Sequence, residues 1–170
     1  ATLDDVRGTL TPQLQPGDTT LISIDLGNGR MRLGGSMLAQ VLGHFGDEVP
    51  DLDDPQRLKS LVAAINVLRR GGKLLAYHDR SDGGLWASVC EMAFAGHLGV
   101  SLNVDLLVTE SDGISDSHAE YGDSKNWVAQ VGERRNERTL AALFNEELGA
   151  VVQVRTAERD AVMAVLREHG

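Results

Sequence analysis

A lone cysteine, Cys90, excludes any disulfide within this chain of 170 residues, and the opening residues hold none of the apolar stretch of a secretory signal. The expected compartment is therefore cytoplasmic. Long hydrophobic runs are missing too: nothing approaches the roughly 20 apolar residues a membrane helix needs, so no membrane partner is expected. Aromatics amount to three Phe, two Trp and two Tyr, too few for base-stacking platforms. Cations are outnumbered, with 16 Lys and Arg against 25 Asp and Glu and a net charge of -9. Binding a phosphate backbone needs the opposite sign, so no nucleic-acid partner is expected either.

What is present suits a packed globular domain. Hydrophobic residues make up 42% and charged residues 24%, which excludes collagen-like and wholly disordered chains. The length fits one domain, residues 1–170. The chain starts at Ala1 and opens with a polar leading segment, residues 1–20, which reads as part of an excerpt from a larger multidomain chain.

The pattern along the chain predicts alternating strands and helices. Leu21 to Leu26 reads as a half-buried strand closed by the Gly27-Asn28-Gly29 turn. Ser36 is a helix cap ahead of Met37, Leu38, Val41, Leu42 and Phe45, which recur at helical spacing up to Gly46. From Gln56 to Arg70, the positions Leu58, Leu61, Val62, Ile65 and Leu68 trace one helix face, with Gly71 and Gly72 as the stop. Lys73 to His78 reads as a buried strand, followed by a helix with Leu85, Val89 and Met92 on its inner face, ending near Gly96. Val100 to Leu106 alternates cleanly and predicts a further strand. Residues 109–138 are polar without a sustained period and read as an insertion loop. A short helix over Thr139 to Phe144, a strand over Ala150 to Val154 and a helix from Ala157 to His169 complete the chain. Two helices separate the first two strands, so strict strand-helix-strand units do not repeat. The expected fold class is α+β: a mixed, largely antiparallel four-stranded sheet covered by helices.

The stretch His78 to Leu85, HDRSDGGL, holds the densest chemistry. Asp79 and Asp82 stand at a strand end, while Gly83 and Gly84 let the backbone turn tightly and aim N-H groups at a ligand. The helix start that follows favours phosphate oxygens. A carboxylate beside a phosphate needs a cation between them, and Mg²⁺ selects oxygen ligands such as Asp79. Ser81 can donate its hydroxyl to a phosphate. The competing reading is structural: Asp82 caps the helix and the glycines turn the chain. Leu33 to Ser36, LGGS, repeats the theme as a second anion cradle or a simple capped helix. Asn145, Glu146 and Glu147 precede a strand as substrate contacts or caps. Asp116, His118, Glu120 and Asp123 read as solvated charge, and Cys90 as a core residue.

HDRSDGGL, with EMAFAGH (Glu91 to His97), LAALFNEELGAVVQV (Leu140 to Val154) and LISIDLGNGRMRLGGSMLAQV (Leu21 to Val41), closely resembles phosphoribosylformylglycinamidine synthase in its large single-chain form. The likeness spans nearly all of this chain and a small part of the family enzyme. It implies the second C-terminal-type domain of a region related to aminoimidazole ribonucleotide synthetase, with the remaining synthetase and glutaminase domains as partners. It further implies Asp79 as a magnesium ligand, Ser81 as a nucleotide contact, ATP or ADP with Mg²⁺ as cofactors, and no activity for the fragment alone. The activity implied is the ATP- and glutamine-dependent conversion of formylglycinamide ribonucleotide to formylglycinamidine ribonucleotide in purine biosynthesis. Residues 109–138 depart from the compact family pattern. Two further readings stand beside this one: a non-catalytic docking domain of the same enzyme, and an independent nucleotide-binding enzyme of the aminoimidazole ribonucleotide or selenophosphate synthetase superfamily.

Overall fold

The computed structural model describes residues 6–104, 107 and 135–170. Three strands form one antiparallel sheet: β1 (Thr19–Asp25), β2 (Leu74–Asp79) and β3 (Gly149–Arg155), in the order β1-β3-β2. The last strand in sequence is the central one. Its residues are buried from Gly149 to Val154, as a doubly covered central strand requires, which explains a run of small and β-branched residues there.

Helices cover both faces. On one side, α3 (Gly84–Gly96) brings Leu85, Val89 and Met92 against Ala76 and Val151, with Leu14 of the leading segment in the same core. On the other, α2 (Pro55–Arg70) and α5 (Arg159–Glu168) pack Leu68 and Val162 onto Ile22, Leu74, Val152 and Val154. The fold is α+β with a helix-covered antiparallel sheet. The strand count differs from the four expected: among the described residues there are three. Residues 100–103 have no regular structure and Val104 lies in a turn, while residues 105 and 106 lie outside the described residues. Val100 and Leu107 nevertheless pack against the α3-side core. Leu102 between them is 37% exposed, so the alternation marks a side only partly buried, and such burial does not require a ladder partner.

Local signals account for the helix ends. Asp54 accepts from Gln56 N at 2.9 Å and Pro55 takes the first helical position of α2. Ser36 Oγ accepts from Ala39 N at 3.2 Å and starts α1 (Met37–Val41). That helix is shorter than its apolar spacing suggests. Gly43, with φ of 72°, and the bonds Gly43 N to Gln40 O and His44 N to Ala39 O close it in a Schellman motif. Val41, Leu42 and Phe45 are 78%, 62% and 73% exposed, so no core holds a longer helix in place. A further helix, α4, occupies 135–144 among the described residues and so includes residues before the expected Thr139. Its first turn is polar and exposed and so carries no apolar period. The rest of the insertion expected over 109–138 lies outside the described residues, as do residues 1–5 of the leading segment.

The leading segment is held to the sheet from Thr11 onward. Thr11 O accepts from Tyr77 N at 3.0 Å. The buried Gln153 side chain accepts from Gln15 N and donates to Gln15 O and Thr19 Oγ1. A polar residue in the middle of β3 is thereby fully used, with no stranded donor.

Candidate functional site

The bend between β2 and α3 is anchored by the residue between its two candidate ligands. Asp79 ends β2 opposite Ala150, and the chain then sends Arg80 inward. Arg80 Nε donates to Glu147 O at 2.6 Å, and Nη2 donates to Leu148 O at 3.1 Å and to the Asp25 carboxylate. Its backbone N-H continues the ladder to Gly149 O at 2.8 Å. Residue 149 is crowded enough to require glycine: a Cβ there would run into the Ile24 carbonyl oxygen and lie 3.0 Å from Arg80 Nη2. Arg80 is a structural pin that the sequence reading passes over.

With Arg80 buried, its neighbours face out. The Asp79 carboxylate is 74% exposed, 3.7 Å from His78 Nδ1, while the Asp79 carbonyl accepts from that same nitrogen at 2.6 Å and from Ser88 Oγ at 3.3 Å. His78 Nε2 meets Glu91 Oε2 at 2.7 Å, joining β2 to α3 beside Asp79. Burial pushes the Tyr77 phenol above its ordinary pKa, and the Asp79 charge adds to that rise. Ser81 and Asp82 are exposed.

The glycines that follow are both left-handed, with φ of 84° at Gly83 and 67° at Gly84. Gly84 N donates to Ser81 O at 2.9 Å. Gly83 N donates to Glu146 Oε1 at 2.8 Å. Gly83 is the residue capping α3 and supplies no side-chain hydrogen bond, so Asp82 does not fill that role. The groups the bend leaves open are the Asp79 and Asp82 carboxylates and the Ser81 hydroxyl; the amides of Gly83 and Gly84 bond within the chain.

The second glycine motif lies on the same support. Gly34 N and Gly35 N donate to Glu48 O and Phe45 O, both at 2.7 Å, and Met37 N donates to Glu146 Oε1 at 2.8 Å. Beneath them Glu147, fully buried, is held by Arg32: Nε to Oε1 at 2.6 Å and Nη2 to Oε2 at 2.7 Å. Arg32 Nη2 also donates to Asp53 Oδ2 at 2.9 Å. The bonds to Glu147 and then Asp53 hold the Arg32 guanidinium protonated, above its ordinary pKa and against desolvation. Gly27 makes space for this carboxylate, since a Cβ there would come 2.8 Å from Glu147 Cγ. The sequence signal for this network is the Asn145-Glu146-Glu147 run, whose partners Arg32 and Arg80 are far away in the chain.

Among the described residues, no group of three or more His, Cys, Asp and Glu side chains is placed to hold a metal ion. Asp79 offers one hard oxygen donor, which fits Mg²⁺ as a single ligand among several and not as a closed site. Residues 116, 118, 120 and 123 lie outside the described residues. Cys90 is a half-buried free thiol in α3. A groove of about 830 Å³ runs past Leu21, Leu85, Val89 and Val100; Asp79, Ser81, Gly83 and Gly84 do not border it.

Two comparisons bear on this arrangement. The chain superposes on a solved structure of PurLQS from Thermotoga maritima with a TM-score of 0.59 and 13% sequence identity. The match covers 96% of this chain and 22% of that one, so this chain spans about a fifth of that protein's length. Residues 15–170 match the family model described as AIR synthase related protein, C-terminal domain. With the model covering the strands, the bend and the buried Arg-Glu support together, this chain belongs to the AIR synthase related protein C-terminal domain family.

Proposed function

We propose that this chain is the second C-terminal-type synthetase domain of a large single-chain phosphoribosylformylglycinamidine synthase. In this reading the parent is a cytoplasmic ATP-dependent ligase and glutamine amidotransferase of purine biosynthesis. The domain contributes one wall of a Mg-nucleotide site and works with the remaining synthetase and glutaminase domains. Its family membership and its likeness in fold to PurLQS support the reading. Among the described residues, no helix is long and apolar enough to cross a membrane.

The observation that carries the proposal is an outward carboxylate on a backbone fixed from behind. Asp79 is exposed, yet its carbonyl and the next residue are tied down by Ser88, Glu147 and Leu148. A group ordered before its ligand arrives loses little entropy on binding. Bound Mg²⁺ would neutralise phosphate charge. Asp79 would supply one oxygen to it, Ser81 would donate its hydroxyl to a phosphate oxygen, and the glycines at 83 and 84 would let the bend carrying both pack closely on Ala87 and the Asn145 backbone. One ligand from this chain leaves the others to a neighbouring domain, so the isolated domain is expected to be inactive.

Calorimetry with Mg-ADP on the complete enzyme tests this. Asp79→Ala should weaken binding roughly ten-fold or more, the scale of a lost charged contact. Unchanged affinity would transfer the domain to the second reading, a docking module without nucleotide contact. ATP turnover by the isolated chain would instead revive an independent nucleotide-binding enzyme.

A further inference from the structure

We propose that Glu146 is a positioning residue for the nucleotide bend: a single carboxylate oxygen that sets the shape of the Asp79–Gly84 turn from outside it. The inference rests on the nucleotide reading above and deepens it.

Glu146 Oε1 accepts from Gly83 N and from Met37 N, each at 2.8 Å. Both glycine motifs of the sequence, LGGS and SDGG, thus end on one atom. A helix cap alone would accept from only one of these amides, and the accepting side chain would normally come from the residue preceding the helix. Here α3 has no such side chain, and the acceptor arrives from a distant segment.

That segment is unusually well held. Asn145, before it, is 2% exposed and donates through Nδ2 to Ala141 O and Ala142 O of α4. Glu147, after it, is 0% exposed and clamped by Arg32. Gly84 lies directly against this backbone, where an added Cβ would come 2.6 Å from Asn145 O. Glu146 itself is half-buried, and among the described residues no cation pairs with it. Its two partners are amides, so its work is directional.

Two consecutive left-handed glycines have wide backbone freedom, and something outside them must choose one shape. Removing the Glu146 oxygen frees Gly83 N. The Ser81 hydroxyl and Asp79 carboxylate then lose their fixed spacing, and a ligand bridging them must bear the cost of ordering the turn.

The test uses the complete enzyme with three substitutions, Glu146→Ala, Glu146→Gln and Glu146→Asp, and two readouts. The first is hydrogen exchange by mass spectrometry in peptides holding Met37 and Gly83. The second is Mg-ADP affinity by calorimetry. Glu146→Ala should speed exchange in both peptides together and weaken Mg-ADP roughly ten-fold, the scale of a lost charged hydrogen bond. Glu146→Gln keeps an oxygen acceptor and should restore most of both. Should Glu146→Ala not fold, Glu146→Asp withdraws the oxygen by one methylene and should loosen both peptides in the same way. Exchange that stays at the wild-type rate in either peptide overturns the proposal. So does unchanged affinity in a variant whose two peptides have both loosened. If Asp79→Ala weakens Mg-ADP and Glu146→Ala does not, the nucleotide reading stands and the Glu146 role falls; if neither weakens it, the nucleotide reading itself falls.

Discussion

Arg32 and Glu147 form a bidentate pair across the chain, two nitrogens on two oxygens at 2.6 and 2.7 Å, with the carboxylate wholly buried. Removing Arg32 leaves the buried Glu147 carboxylate without its cation, and removing Glu147 leaves the Arg32 guanidinium with Asp53 alone. Glu147→Ala should therefore destabilise the fold by about 3 kcal/mol or more, measured by urea unfolding. Arg32→Lys should also destabilise it, because a point charge cannot fill both donor directions. A Glu147→Ala protein as stable as wild type would mean that the pair does not hold the 145–147 turn.

Glycine positions separate strain from crowding. Gly29 and Gly84 share left-handed backbones, with φ of 76° and 67°, but a Cβ at Gly29 meets open space while one at Gly84 meets the carbonyls of Asn145 and Leu143. Gly29→Ala should cost about 1 kcal/mol from handedness alone. Gly84→Ala should cost roughly 2 kcal/mol more, since backbone must move. Equal losses in chemical denaturation would refute the packing of the bend on the Asn145 segment.

Tyr77 reports on Asp79. Burial raises the phenol pKa first and the nearby Asp79 charge raises it further. In an absorbance titration, Tyr77 should ionise above the ordinary value of 10.0, and Asp79→Asn should bring its midpoint part of the way down. The folded value lies above the unfolded one, so the associated stability is complete below about pH 10 and is lost as pH rises through the folded value. No change on Asp79→Asn would place that carboxylate away from the phenol.

The acid side is governed in part by Glu158. Hydrogen bonds from Lys73 and then Arg155 lower its pKa below the ordinary 4.5. Its stabilising contribution is present above that value and disappears as pH falls through the lowered one. The site is solvent-accessible, so the effect is modest and screened by salt. Glu158→Gln should flatten the fall in unfolding midpoint between about pH 5 and 3 relative to wild type. An identical acid limb in both proteins would remove Glu158 from this account.

Helices α2 and α3 were legible because their apolar spacing coincides with caps and stops: Asp54 and Pro55 ahead of one, glycines at 71 and 72 behind it, and Leu85, Val89 and Met92 on one face of the other. The alternation of Val100 to Leu106 misled because it encodes which side of a chain is apolar, and Val100 meets that by packing on the α3-side core without joining the sheet, while Leu102 stays exposed. Helix α1 misled for the converse reason: its period continues past Gly43 with no surface to receive it. Candidate residues in the bend stood out through glycine spacing. Arg80 and Arg32 did not, because a buried arginine is recognisable only by its partners, 67 and 115 positions away.

By itself the sequence determined where the chain turns, which faces are apolar, and that a carboxylate, a hydroxyl and two glycines share one bend, since these follow from local sterics and periodicity. The tertiary structure alone decided that β3 is central, that Arg80 points in while Asp79 points out, and that Glu146 joins two glycine motifs. Each of those depends on groups distant in sequence meeting in space, where desolvation makes every unpaired charge or amide costly and so selects the arrangement that satisfies them.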